Sequence, residues 1–122
     1  MQIELTTIGA RTGRRRTITL YAWEDGDRLV IVGSSGGSAL HPAWVHNLRA
    51  HPRAEVTRGR ETVEVPVREV ADEPERSRLW DLVVEAFPLY GKYQSGTKRL
   101  IPLFVLEMAG AKPQSPSMPA RS

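Results

Sequence analysis

The sequence predicts a single, mainly antiparallel β domain of the α+β class, closed or partly closed into a barrel with two to three short helices at its ends. Three observations lead there. EDGD (Glu24 to Asp27) and Gly59-Arg60 are tight-turn signals that join β-rich segments directly into hairpins. The strand-like segments do not alternate regularly with helical ones, which argues against a doubly wound α/β sheet. The run Leu29 to Val32 is apolar at every position, as in a strand buried on both faces, and barrel closure with capping helices is a natural way to bury it.

Taken in order, IELTTIGA (Ile3 to Ala10) has the β-branched enrichment of a strand, and the following Arg-Thr-Gly supplies turn chemistry. Arg16 to Trp23 alternates small or polar with apolar residues and reads as one second strand, which EDGD turns into the strand Arg28 to Gly33. GSSGGS then ends that strand in a loop nearly free of side chains, and Pro42 resets the chain as a first helical residue. Trp44, Val45 and Leu48 share a face of this helix, and Pro52 stops it. A hairpin follows, RAEVTRG into ETVEVPVREV. Asp72 to Phe87 carries acids early and Leu79, Trp80, Val83 and Val84 at helical spacing, so it is a second helix, closed by Pro88. PLYGKYQSGTKR is a short helix or ordered loop, and IPLFVLEM is the last strand. The domain is expected to span residues 1–108, with the Pro/Ser-rich tail 109–122 disordered.

Composition narrows the function classes. A chain of 122 residues, 40% hydrophobic, holds one core. With no Cys there are no disulfides, thiolate metal sites or cysteine nucleophiles, and a cytoplasmic setting is expected. No apolar run approaches the roughly 18 residues of a membrane span. The net charge of +3 is carried chiefly by Arg, concentrated at Arg11, Arg14, Arg15 and Arg16. Specific nucleic-acid binding is not expected, because the few aromatics do not interleave with that cluster and no reader helix appears.

Two stretches carry chemistry. In TTIGARTGRRR, Gly9 and Gly13 allow tight turning, Thr12 offers a hydroxyl, and forked guanidinia suit phosphate or carboxylate oxygens. Strand alternation puts Arg14 and Arg16 on one face and Arg15 on the other. The spacing fits neither a Walker loop nor a dinucleotide fingerprint, and a solvated basic hairpin is the competing reading. In the second stretch, the successive amides of Ser34 to Gly37 before a helix start form an anion- or heterocycle-binding nest, or else an ordinary connecting loop. His41, His46 and His51 are spaced by five, so helical rotation would separate them and no metal site is expected. Ser34 and Ser35 have His41 nearby in sequence, but no third group is placed to orient it, so a hydrolytic triad is not expected. Tyr21, Tyr90 and Tyr93 are either core-edge residues or phenols that stack on a ligand and donate a proton.

TTIGARTG, SSGG, HPAWVHNL, HPRAEV and AFPLYGKYQ…IP, in this order and spacing, resemble the deazaflavin-dependent nitroreductase family over about Leu5 to Glu107. The resemblance implies a split β-barrel (flavin-binding-like) oxidoreductase that uses coenzyme F-420. It implies that the loop Val32, Gly33, Ser34, Ser35 and Gly36 holds the deazaflavin ring. Pro42, Ala43, Trp44 and Val45 would pack on the ring, while Arg11, Thr12, Gly13 and Arg16 would take the phosphate and oligoglutamate tail. Relatives often carry basic residues where Ala10 and Ser35 stand, which implies fewer tail contacts here. Tyr90, then Tyr21 and Tyr93, are the expected proton donors or substrate walls. The acceptor is a small organic molecule such as a nitro compound, quinone or activated alkene, and the chain a monomer or homodimer. The alternatives are a flavin mononucleotide enzyme of the same fold and a carrier that binds F-420 or a hydrophobic ligand without turnover.

Overall fold

A computed structural model describes residues 1–113 of the chain. Strands β1 (Gln2–Ile8) and β2 (Arg15–Tyr21) form a hairpin, followed by β3 (Trp23–Asp25) and β4 (Arg28–Val32). Helix α1 (Ala43–Ala50) leads to the hairpin β5 (Arg53–Arg58) and β6 (Glu61–Val70). Helices α2 (Glu75–Ala86) and α3 (Leu89–Ser95) then precede β7 (Leu103–Leu106) and the short β8 (Lys112–Pro113). All pairings are antiparallel, and the sheet runs β2-β1-β5-β6-β7-β4-β3, with β8 on β6. This is the expected split-barrel architecture.

The turns behave as their sequences demand. Asp25 pairs with Arg28 and Arg58 with Glu61, leaving two-residue loops that begin with Gly26 (φ 63°) and Gly59 (φ 59°) in the left-handed region. β6 is the hinge between the two halves of the sheet. It pairs with β5 up to Pro66 and with β7 from Val67 onward, so the residue without an N–H stands where the ladder changes partner.

Two apolar layers meet on β4 and β7. Leu29, Ile31, Phe104 and Leu106 join Ile3, Leu5, Val45, Leu48 and Val56 beneath α1. Val30, Val32, Leu103 and Val105 face the other way, into Leu79 and Val83 of α2 and Tyr90 of α3. The continuous Leu-Val-Ile-Val run is thus buried on both faces, each such side chain contributing about 1.5–3 kcal/mol.

Four expectations are corrected. The segment from Arg16 to Trp23 is not one strand: Ala22 is fully buried and bonded to Met1 through both backbone groups, so β2 ends at Tyr21 and β3 starts on the opposite edge of the sheet. Pro42 caps α1 rather than opening it, its backbone being extended (φ −65°, ψ 155°) and its carbonyl accepting Val45 N–H at 3.0 Å. The chain does not lose structure at Ala109. Met108 to Gly110 form a 3-10 turn, Met108 and Ala111 pack on the core, and Lys112 and Pro113 pair with Glu64 and Val63. The rest of the expected tail lies outside the described residues. His41 precedes α1, so helical rotation does not separate it from His46; the two rings lie 5.7 Å apart.

Candidate active-site groove

α1 lies against β1 and carries Asn47 among its buried apolar residues. The Asn47 side chain accepts the Ala10 N–H at 2.8 Å and donates to the Thr7 hydroxyl at 3.0 Å. It thereby pins the turn between β1 and β2 from inside. Gly13 turns the chain at φ 71°, its N–H reaching the Gly9 carbonyl at 2.9 Å, and Thr12 accepts the Arg14 N–H at 3.1 Å. On β2, Ile18 and Leu20 face the core, so Arg16 shares their side and Arg15 the outer one, where it pairs with Glu55. Arg14 falls in the turn rather than on the strand. Arg11, Arg14 and Arg16 are exposed and form no ion pair among the described residues.

These arginines stand at one end of a groove. A cleft of about 1080 Å³ is lined by Arg11, Thr12, Arg16, Asn47 and Arg49 among others, with Ile18, Ala43 and Trp44 as its inner wall; Arg15 also borders it, but its guanidinium is held on Glu55. The same Ile18, Ala43 and Trp44 border a second cleft of about 510 Å³ lined by Val32, Ser34, Ser35, Gly36, Pro42, Tyr21 and Tyr90. The two clefts are therefore parts of one groove with a basic end and a loop-and-tyrosine end.

The loop end is a backbone nest. Ser34 is right-handed (φ −77°, ψ −33°), and Ser35 (φ 47°), Gly36 (φ 63°) and Gly37 (φ 87°) are left-handed. The Gly33 N–H reaches the Pro102 carbonyl at 2.9 Å, the Gly37 N–H the Ser34 carbonyl at 2.9 Å, and the Ser38 N–H the Ser35 carbonyl at 3.1 Å. Ser34, Ser35 and Gly36 N–H groups have no hydrogen-bond partner among the described residues, although Ser34 is 8% exposed. Ser35 and Gly36 are exposed, but an unpaired amide on a residue as buried as Ser34 is rare and points to a ligand that completes it.

The remaining expected residues divide. Gly33 and Val45 sit behind the nest: Val45 is fully buried, and a Cβ on Gly33 would lie 2.9 Å from Val45 and 2.7 Å from Pro102. Tyr90 is 7% exposed, and its hydroxyl accepts the Trp23 indole N–H at 3.1 Å. Burial pushes its phenol above the usual range, with the indole hydrogen bond opposing. Tyr21 is 57% exposed and stacks on Trp23 at 6.0 Å. Tyr93 meets Tyr90 edge-on at 6.4 Å and lies under Gly37, supporting the nest from outside the groove.

Two functional residues missed by sequence reasoning are Asn47 and Arg99, whose guanidinium holds the loop. Asn47 carried a faint signal, a polar residue on the buried face beside Trp44 and Leu48. Arg99 carried none, since its partners lie more than 57 residues away.

A family model described as F420H(2)-dependent quinone reductase matches residues 1–108. The chain belongs to that family. As an F420H(2)-dependent quinone reductase family member it is an oxidoreductase whose cofactor is the deazaflavin F-420. An F420H(2)-dependent quinone reductase of Mycobacterium tuberculosis is 41% identical over 104 residues, covering 84% of this chain and 70% of that protein. The solved structure of an F420-H2 dependent reductase (FDR-A) is similar at 38% identity and a TM-score of 0.77, over 87% of this chain and 93% of its own. Another solved chain, a domain-swapped dimer, has a TM-score of 0.78 at 38% identity, over 87% of this chain and 79% of its own. Among the described residues, no helix is long and apolar enough to cross a membrane.

Proposed function

We propose that this protein transfers a hydride from reduced F-420 to a quinone-type acceptor, or to a related nitro compound or activated alkene, as a monomer or homodimer in the cytoplasm. The ring sits at Val32 to Gly36 against Pro42, Ala43 and Trp44. The anionic tail runs to Arg11, Thr12, Gly13 and Arg16. One observation carries this reading: among the described residues, a single groove has unpartnered amides at one end and, at the other, Arg11 and Arg16 without carboxylate partners. That polarity fits a flat, polar-edged ring joined to phosphate and glutamates.

When bound, a deazaflavin supplies hydride from carbon 5 and exchanges electrons in pairs. Reducing a quinone to a hydroquinone takes one hydride and one proton from the site, and the chain's part is to orient the ring and furnish that proton. Because the Tyr90 oxygen accepts from Trp23, its own hydrogen is left to be donated toward the cleft it lines. Burial keeps that phenol protonated at neutral pH. Exposed Tyr21 offers a stacking wall for the acceptor, and Tyr93 acts through Tyr90 and the loop.

The test is a fluorescence titration of purified protein with F-420 and with flavin mononucleotide, then single-turnover oxidation of bound reduced F-420 by menadione or a nitroaromatic. Tighter binding of F-420 and oxidation faster than in free solution are expected. Equal or tighter flavin binding overturns the cofactor assignment for this groove. Tight F-420 binding without accelerated oxidation makes the protein a carrier.

A further inference from the structure

Arg99 lies between α3 and β7, yet its side chain reaches across to the loop after β4. Its Nη2 donates to the Ser34 carbonyl at 2.8 Å, Nη1 to the Gly33 carbonyl at 3.0 Å, and Nε to the Ser38 carbonyl at 2.8 Å. Nη1 also lies 2.9 Å from His41 Nδ1. Arg99 forms no ion pair among the described residues, so its donors are spent on main-chain oxygens.

Peptide geometry converts this grip into an aim. A trans peptide is planar, with its C=O and N–H pointing in opposite directions, and these peptides are trans. Holding the Gly33 carbonyl on the guanidinium turns the Ser34 N–H away from it, and holding the Ser34 carbonyl does the same to the Ser35 N–H. Those are two of the amides left without partners. Ser34 and Ser35 line the groove and Arg99 does not. We propose that Arg99 is the positioning residue of the ring subsite, directing the Ser34 and Ser35 amides at the deazaflavin by gripping their peptide carbonyls from behind, an assignment that rests on the groove being the F-420 site.

The arm bearing Arg99 is itself tied down. Gln94 donates to the Arg99 carbonyl at 2.8 Å and accepts the Ile101 N–H at 2.9 Å. Buried Arg76 donates to the Ile101 carbonyl at 2.8 Å. A planar fork can serve several carbonyls at fixed angles, whereas the single ammonium of Lys cannot.

His41 makes the grip pH-sensitive. To accept from Arg99 its Nδ1 must be unprotonated, with the ring hydrogen on Nε2. Burial, then the charges of Arg99, Arg49 and His46, hold its pKa below the usual histidine value, with Glu69 opposing. Because the folded value lies below the unfolded one, the arrangement is intact above about pH 6.5 and weakens as pH falls through the folded value.

The test compares wild type, Arg99→Met, Arg99→Lys and His41→Asn by fluorescence titration with F-420 and with a tail-less deazaflavin, each variant checked for folding by circular dichroism. Arg99→Met should weaken both cofactors alike, on the order of tenfold, with Arg99→Lys between it and wild type. Asn offers Arg99 an acceptor that does not titrate, so the ratio of the His41→Asn to the wild-type Kd should fall between pH 8 and 5.5, a ratio in which the cofactor's own titration cancels. Unchanged affinity in folded Arg99→Met, or a loss confined to the tail-bearing cofactor, overturns the proposal. Should Arg99→Met not fold, Arg99→Lys at wild-type affinity overturns it instead. Failure of wild type to bind either cofactor overturns the reading of the groove, and the role of Arg99 with it.

Discussion

The loop from Gly33 to Ser38 and the turn from Gly9 to Arg14 close opposite ends of one groove but are held by different means. The loop presents main chain: its carbonyls are gripped by Arg99, Gly36 and Gly37 are left-handed, and three of its amides have no partner among the described residues. The turn presents side chains: its backbone is fixed by Asn47, while Arg11 and Arg16 line the cleft with no carboxylate partner among the described residues. A rigid ring is recognised by fixed dipoles at short range, which tolerate little displacement. A flexible anionic tail is recognised by mobile charges, which tolerate much. Changes at the loop should therefore affect any deazaflavin, and changes at the turn only one that carries a tail.

The largest effect is expected at the loop. Gly33→Ala places a methyl 2.7 Å from Pro102 and 2.9 Å from Val45, and such overpacking costs about 1–3 kcal/mol in denaturant unfolding. Binding of tail-bearing and tail-less cofactor should fall together. Asn47→Ala comes next, leaving the Ala10 N–H and Thr7 hydroxyl unpaired, a loss of about 1–3 kcal/mol in the same measurement. Its binding defect should be confined to the tail-bearing cofactor; equal loss for both would show that the two ends are not independent.

Arg16→Ala should leave the unfolding midpoint unchanged and weaken tail-bearing F-420 on the order of tenfold, or about 1.4 kcal/mol, with little effect on the tail-less form. Arg15→Ala is the smallest change. It removes an exposed pair with Glu55 on the outer face, contributing under about 1 kcal/mol. Titration should show a binding loss well below that of Arg16→Ala, and parity between them would reduce the turn to general surface charge.

Much of this comparison was legible in residue order. Period-two alternation separated Arg15 from Arg16 before any contact was known, because a strand's side chains must point to opposite faces. The Leu-Val-Ile-Val run announced burial on both faces, and Gly-Ser composition announced a loop that exposes its amides. The break at Ala22 was not legible, since its small side chain suits a strand and only bonding to Met1 shows that β2 ends before it. Nor was continuation past Ala109, where Ala111 packs on the core and Lys112 and Pro113 pair with β6.

The sequence by itself determined the strand and helix order, the basic and glycine-rich ends, and the family, because these depend on local propensity, periodicity and motif spacing. Tertiary structure decided which residues act on the site from behind. Val45 and Tyr93 support the nest, Asn47 holds the turn, and Arg99 aims the loop amides, all through contacts between segments far apart in the chain. Such roles leave no periodic trace, because a hydrogen bond across 66 residues constrains one side chain and one carbonyl and nothing in the sequence around either.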